Sequence, residues 1–448
     1  MSVKKSGFGL WTATSMVVGG MIGSGIFLLP SALASFGGIS IGGWIFTSVG
    51  SLTLAYVFAN LSKYVRGSGG SYIYTREAFG DFMGFSVCWG YWICMISANA
   101  AIAIALVSYL SVFIPILKQQ GYITALVTLF FLWSLVWVNL RGLKEAGNIQ
   151  LVTTILKFIP LLLVAFVGCF NLNTNHFVPL NLSDMSSYSA VSATAAITMW
   201  AFLGLETANN VAGNVIDPEK NVPKAALFGT GICAFVYILG SISVMGLIEP
   251  SVLSKSNAPF ADAAAILWGD WGYYLIGMCA VVSCVGALNC WTLCIGQVPM
   301  AASKNGLFPK VFGEKSKRKV PAKGIVISTL LVSGLVLMNF SESLVDQFTL
   351  VILLSTFATV IPYLLCTLAH FTMSLKKRNP LGLTPFNAVI TTIAMLFSTW
   401  IIANLGTETI VMGIILSIAG VPVYFFTKYK AKQPTLKSNK LFNLDSDY

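Results

Sequence analysis

Apolar positions run along this chain in long blocks instead of alternating with polar ones. Blocks at about 8-34, 39-62, 83-113, 122-140, 147-170, 188-213, 225-248, 274-303, 324-341, 346-371, 384-404 and 407-427 are each long enough to cross a hydrocarbon core of about 30 Å as a helix. The pattern predicts an all-α integral membrane protein with about 12 transmembrane helices. Only short polar segments separate the blocks, so residues 1-427 read as a single transmembrane domain and 428-448 as a polar tail.

Composition removes the soluble alternatives. Hydrophobic residues make up 56% of the 448 and charged residues 10%, where a soluble globular chain carries about 25% charged. The first block follows only Lys4 and Lys5 and shows no small-residue cleavage site, so it reads as helix 1 and not as a signal peptide. All nine cysteines lie inside apolar blocks with no metal-type CxxC pair, so no metal or cofactor is expected and the thiols read as small buried hydrophobes.

Charge fixes an orientation. If both termini are cytoplasmic, the segments on that side hold 24 of the 27 basic residues, the opposite loops hold only Lys118 and Lys255, and Lys157 sits inside helix 5. This is the positive-inside asymmetry, and it accounts for the basic balance without a nucleic-acid partner. The tail, with Lys428, Lys430, Lys432, Lys437 and Lys440, reads as a lipid-facing end.

Helices 1 and 6 are both interrupted mid-span by glycine, at Gly23-Ser24-Gly25 and at Gly204, and helices 3 and 8 are both near 30 residues long. Five helices separate the members of each pair, and a displacement by five reverses the direction of crossing. The expectation is a five-plus-five inverted repeat, about 8-170 and 188-371, with broken helices 1 and 6 and two further helices at about 384-427. Discontinuous helices at the bilayer midplane are where secondary transporters place their substrate sites.

Glu206 is the only acid in the interior of a membrane-length block, Asp346 and Glu408 standing at block ends. A charged side chain at the bilayer centre costs about 2.5 to 3.5 kcal/mol on insertion scales, which points to a function, and loss of hydration makes such a group a natural proton carrier, the alternative being a structural carboxyl hydrogen-bonded between helices. At Gly23-Ser24-Gly25 an unwound turn frees backbone N-H groups for a substrate carboxylate, the alternative being a packing notch. Trp200 and Trp291 lie mid-span, away from the interfacial belts, either as platforms for an ammonium or guanidinium or as plain core. Lys157 is the only base in a span, either replacing a bound cation and gating by losing its proton or snorkelling to the cytoplasmic surface. Paired acids, a zinc motif or a nucleophile with a base are missing, with His176 in a loop and His370 at a helix end, so an enzyme is not expected. Rings of polar side chains suited to a channel are missing as well.

Val17 to Pro30 (VVGGMIGSGIFLLP), Gly69 to Tyr74 (GGSYIY), Trp200 to Thr207 (WAFLGLET) and Asp217 to Pro223 (DPEKNVP) resemble the amino acid-polyamine-organocation superfamily, in particular its basic amino acid/polyamine antiporters, typified by the arginine/agmatine and putrescine/ornithine exchangers. The resemblance covers nearly the whole chain. It implies that Ser24 and Gly25 bind the carboxylate or amino end of a small-molecule substrate, that Trp200 and Trp291 contact it, and that Leu203 lines the pocket. It puts gating and proton linkage on Glu206, and substrate-lining or hydrogen-bonding positions on Tyr91, Cys94, Met95, Asn99 and Ser355. A bacterial-type inner membrane, protons as the coupled partner and a possible homodimer are implied in the same way.

Two departures shape the expected function. Gly20 stands where the arginine/agmatine exchanger has asparagine, and Lys157 stands where both exchangers have a small residue, as in proton-coupled amino acid symporters of the superfamily. The first expectation is exchange of an arginine-like amino acid for its agmatine-like amine by alternating access of helices 1, 2, 6 and 7 against the rest. The alternatives are a proton-coupled symporter of broader range using Lys157 and a putrescine/ornithine-type exchanger. A lone intramembrane acid leaves a dication without a second carboxylate, which favours an amino acid as one of the substrates.

Overall fold

The computed structural model describes residues 9–23, 25–64, 71–118, 121–141, 161–210, 215–318, 320–338, 342–375 and 384–432. Their regular structure is helical: α1 Leu10–Met21, α2 Gly25–Ala34, α3 Ser40–Tyr64, α4 Ser71–Phe79, α5 Asp81–Leu110 and α6 Tyr122–Arg141, then α7 over 161–169. There follow α8 Ser187–Met199, α9 Thr207–Asn210, α10 Pro218–Leu247, α11 Pro250–Leu253, α12 Pro259–Trp268, α13 Asp270–Lys304, α14 Lys310–Gly313, α15 Ala322–Met338, α16 Leu344–Leu375, α17 Pro385–Ala403 and α18 Thr407–Lys432. Every one of the twelve apolar blocks carries helix, in one piece or two. The start of the fifth block, with Lys157, lies outside the described residues.

The first and sixth blocks are the ones in two pieces. α1 and α2 are inclined by 43°. α8 tightens into a 3-10 turn at Trp200–Phe202, unwinds through Gly204 and resumes as α9. Length does not mark out helices 3 and 8 as the sequence suggested: α5 and α13 have 30 and 35 residues, but α10 and α16 have 30 and 32. What distinguishes α5 is burial, 89% of its most apolar window being inside the protein against 11% for α18.

Packing follows the repeat. α1 lies on α10 and α8 lies on α3, the same contact exchanged between first and seventh, and sixth and second, spans, while α3 packs on α10 and α5 on α13. Close approach is secured at matching places: a methyl on Gly229 of α10 would come within 2.6 Å of Val17 Cγ1, and one on Gly43 of α3 within 2.8 Å of Thr194 Cβ. Small residues let backbones approach where lipid supplies no hydrophobic drive between helices. One hydrophobic core runs through the spans, with α5 and α16 packed together at its centre. The amphipathic α12, buried through Phe260 and Ala261, lies in the connection between α10 and α13 and was not foreseen as an element.

Candidate functional site

The last turn of α1 lies against the interruption of the sixth span. Gly204 adopts φ +99, a conformation that an L side chain adopts only at a cost, and a Cβ there would meet the Gly20 carbonyl at 3.3 Å. Conversely, a Cβ on Gly20 would come within 2.8 Å of Thr207 Oγ1. The missing asparagine at position 20 is therefore also a steric matter: the backbone of α1 occupies the space that the unwound turn leaves. Thr207 closes that turn on itself, its backbone N-H and hydroxyl both donating to the Gly204 carbonyl, and Asn209 Nδ2 ties α9 to the Phe58 carbonyl of α3 at 2.9 Å.

Between Gly204 and Thr207 sits Glu206, 4% exposed and the only acidic residue among the described ones that is buried. Both carboxyl oxygens accept hydrogen bonds from tyrosines of continuous helices: Tyr91 of α5 donates to one, and Tyr363 of α16 to the other at 2.6 Å. Hydrogen bonds to a charged group contribute about 1.5–3 kcal/mol each, enough for the pair to offset the cost of about 2.5–3.5 kcal/mol of placing a charge at membrane depth.

Tyr363 was not foreseen, although a signal for it existed. It lies eight residues beyond Ser355, just over two helical turns at 3.6 residues per turn, and so shares the face of α16 on which Ser355 was expected to line the site. Cys94 and Ser355 are brought together, Sγ to Oγ 3.3 Å, with the Ser355 hydroxyl also donating to the Cys94 carbonyl. Asn99 donates to the Met95 carbonyl one turn back and accepts from Thr292 at 3.1 Å, which links α5 to the residue next to Trp291. Trp200 and Leu203 are buried at the interruption, 6% and 3% exposed, and Trp291 is half-buried against the core. Gly25 begins α2; Ser24 and Lys157 lie outside the described residues. No group of three or more His, Cys, Asp or Glu able to hold a metal occurs among the described residues.

Two interrupted helices packed together, a carboxylate at the second interruption clamped by continuous helices, and a frame of long apolar helices define a membrane transport protein of the discontinuous-helix type. The chain belongs to the amino acid permease family, which it matches over residues 8–432, and is a transporter, not an enzyme. It is 34% identical to a putrescine transporter of Haemophilus influenzae over 96% of this chain and 99% of that one. It is 34% identical to a cadaverine/lysine antiporter of Escherichia coli over 75% of each, and 32% identical to the Escherichia coli putrescine transporter over 94% of this chain and 96% of that one. This places it in the basic amino acid/polyamine antiporter branch.

Proposed function

We propose that the protein is a secondary antiporter that exchanges a cationic amino acid for the amine left when that amino acid loses its carboxylate. The observation that carries this reading is Glu206, the single buried carboxylate among the described residues, held by Tyr91 and Tyr363 at the interruption of the sixth span. One carboxylate can serve one ammonium or one proton at a time, so loading of substrate and of protons compete there. The relatives' names support antiport and shift the preferred pair from arginine-like and agmatine-like to an alkyl diamine and its parent amino acid.

In this reading Ser24 and the backbone at Gly25 receive the substrate carboxylate at the start of α2. Trp200, Leu203, Met95 and Trp291 pack on the aliphatic chain, Cys94, Asn99 and Ser355 supply polar contacts, and Tyr91 with Glu206 gates. The tyrosines ride on helices of the packed frame and Glu206 on the broken span, so rocking of the broken spans against the frame separates the hydrogen-bonded groups. The distribution of basic residues supports cytoplasmic termini in an inner membrane.

The test is uptake of labelled lysine, ornithine or arginine into proteoliposomes preloaded with buffer, the same amino acid or its amine. Uptake that requires an internal amine or amino acid is expected, with lysine/cadaverine or ornithine/putrescine the best pair. Concentrative uptake into empty vesicles driven by a proton gradient would overturn antiport and move the mechanism to Lys157.

A further inference from the structure

The chain has only two basic residues in the loops of the face opposite its termini, Lys118 and Lys255. The fold brings both, from loops far apart in sequence, to the wall of one open cavity of about 370 Å³, together with Glu342 and Asp346 at the start of α16. Thr124 and Asn257 add neutral hydrogen-bonding groups to the same wall. Neither lysine is in an ion pair among the described residues, where the salt bridges involve Arg76, Lys323 and Lys428. Basic residues are sparse on this face throughout, so convergence of the only two is not a by-product of a generally basic surface. The volume falls in the range of small-molecule sites.

A second cavity of about 450 Å³ shares Ser254, Val345 and Asp346 with the first. Its wall continues to Ile197 of α8 and Leu353 of α16, one turn before Trp200 and two residues before Ser355. Asp346 thus stands at the junction of the two cavities, the second of which reaches to within a helical turn of the interruption of the sixth span.

We infer that this vestibule is an antechamber that binds the amino acid member of the exchanged pair ahead of the central site and discriminates against the amine; the identity of that pair rests on the function proposed above. A dipolar molecule carrying a carboxylate and ammonium groups can satisfy both signs of charge, carboxylate to Lys118 and Lys255 and ammonium to Glu342 and Asp346. A diamine finds two carboxylates and is repelled by two ammonium groups. On the face opposite the termini the apparent affinity is therefore higher for the amino acid than for the amine, while the two substrate gradients set the net direction.

The experiment compares the parent protein with the Lys118→Gln/Lys255→Gln pair in vesicles, with substrate presented to that face. The expected result is a KM for the amino acid raised about fivefold, as for loss of two exposed ionic contacts, with KM for the diamine unchanged or lowered and maximal rate retained. The Lys118→Arg/Lys255→Arg pair should behave as the parent, and the difference should shrink with salt because these charges are solvent-screened. Equal shifts for both substrates, or none, would overturn the inference. A second arm does not depend on transport: Ser254→Cys, at a position that lines both cavities and carries neither charge, is labelled from that face with a membrane-impermeant maleimide, labelling being counted above that of the parent. Protection by lysine or ornithine but not by cadaverine or putrescine supports the antechamber even if exchange is absent and the proposed function fails; equal protection or none overturns it even if exchange is present.

Discussion

The sixth span and the tenth meet at the same carboxylate and could hardly be built more differently. α8, the turn at Trp200–Phe202 and α9 form a helix broken at a glycine of φ +99, whereas α16 runs unbroken for 32 residues through Pro362. The acid stands on the interrupted element and its hydroxyl donors, Tyr91 and Tyr363, on continuous ones. An unwound turn exposes backbone groups and offers few i to i+4 bonds, so it can change shape at low cost, while a packed helix moves as a rod. In the function proposed above, the ionisable group rides on the soft element and its partners on the stiff ones, which is the arrangement by which a change of charge is proposed to displace the two.

The contrast is broken most completely by removing the charge. Glu206→Gln keeps the shape but replaces the anion to which both tyrosines donate with a neutral amide, one side of which cannot accept, and hydrogen bonds to a charged group contribute about 1.5–3 kcal/mol each. Exchange in counterflow assays should fall by about two orders of magnitude. Stiffening the soft element comes next. Gly204→Ala forces a side chain into a conformation costing about 1–3 kcal/mol and against the Gly20 backbone, so a tenfold or greater loss of transport and a lower melting temperature in detergent are expected; wild-type values for both would refute the steric reading.

Loosening the stiff side should cost less. Tyr363→Phe and Tyr91→Phe each remove one donor to Glu206, and each should reduce exchange by about tenfold. The double variant should fall short of the product of the two, because the first loss already frees the carboxylate; strict additivity would mean that the tyrosines act independently.

The smallest effect concerns another carboxyl with a hydroxyl partner, Asp262 of α12, outside the spans. Burial raises its pKa above the ordinary aspartate value, with the Ser256 hydroxyl and the Lys118 charge opposing the rise. A raised carboxyl stabilises the fold fully below the ordinary value and loses that contribution as pH rises through the higher folded one. Asp262→Asn should therefore melt at the same temperature as the parent at pH 4 and on the order of 1–2 °C higher at pH 7, a difference that differential scanning fluorimetry can resolve.

Much of this was legible in the chain. Blocks of apolar residues long enough for a membrane, glycines in the first and sixth of them and one acid among hydrophobes each follow from a local cost, that of exposing backbone or charge to hydrocarbon. Tyr363 was not legible in the same way, since a tyrosine in an apolar span is unremarkable until a carboxylate is opposite it. The lengths of α10 and α16 were misjudged because their ends extend past the apolar block into polar residues such as Pro218–Lys220, where hydropathy falls but helical hydrogen bonding continues.

By itself, then, the sequence determined that the protein lives in a membrane, how its helices are counted, which two are broken and which acid lies among hydrophobes, because each of these is decided within a single segment by the solvent around it. Only the tertiary structure decided that Gly20 lies against Gly204, that Tyr91 and Tyr363 share Glu206, and that Lys118 and Lys255 open into one cavity with Glu342 and Asp346. Those relations join residues on different helices, and their distances are set by how closely small residues allow the helices to pack, which no single segment contains.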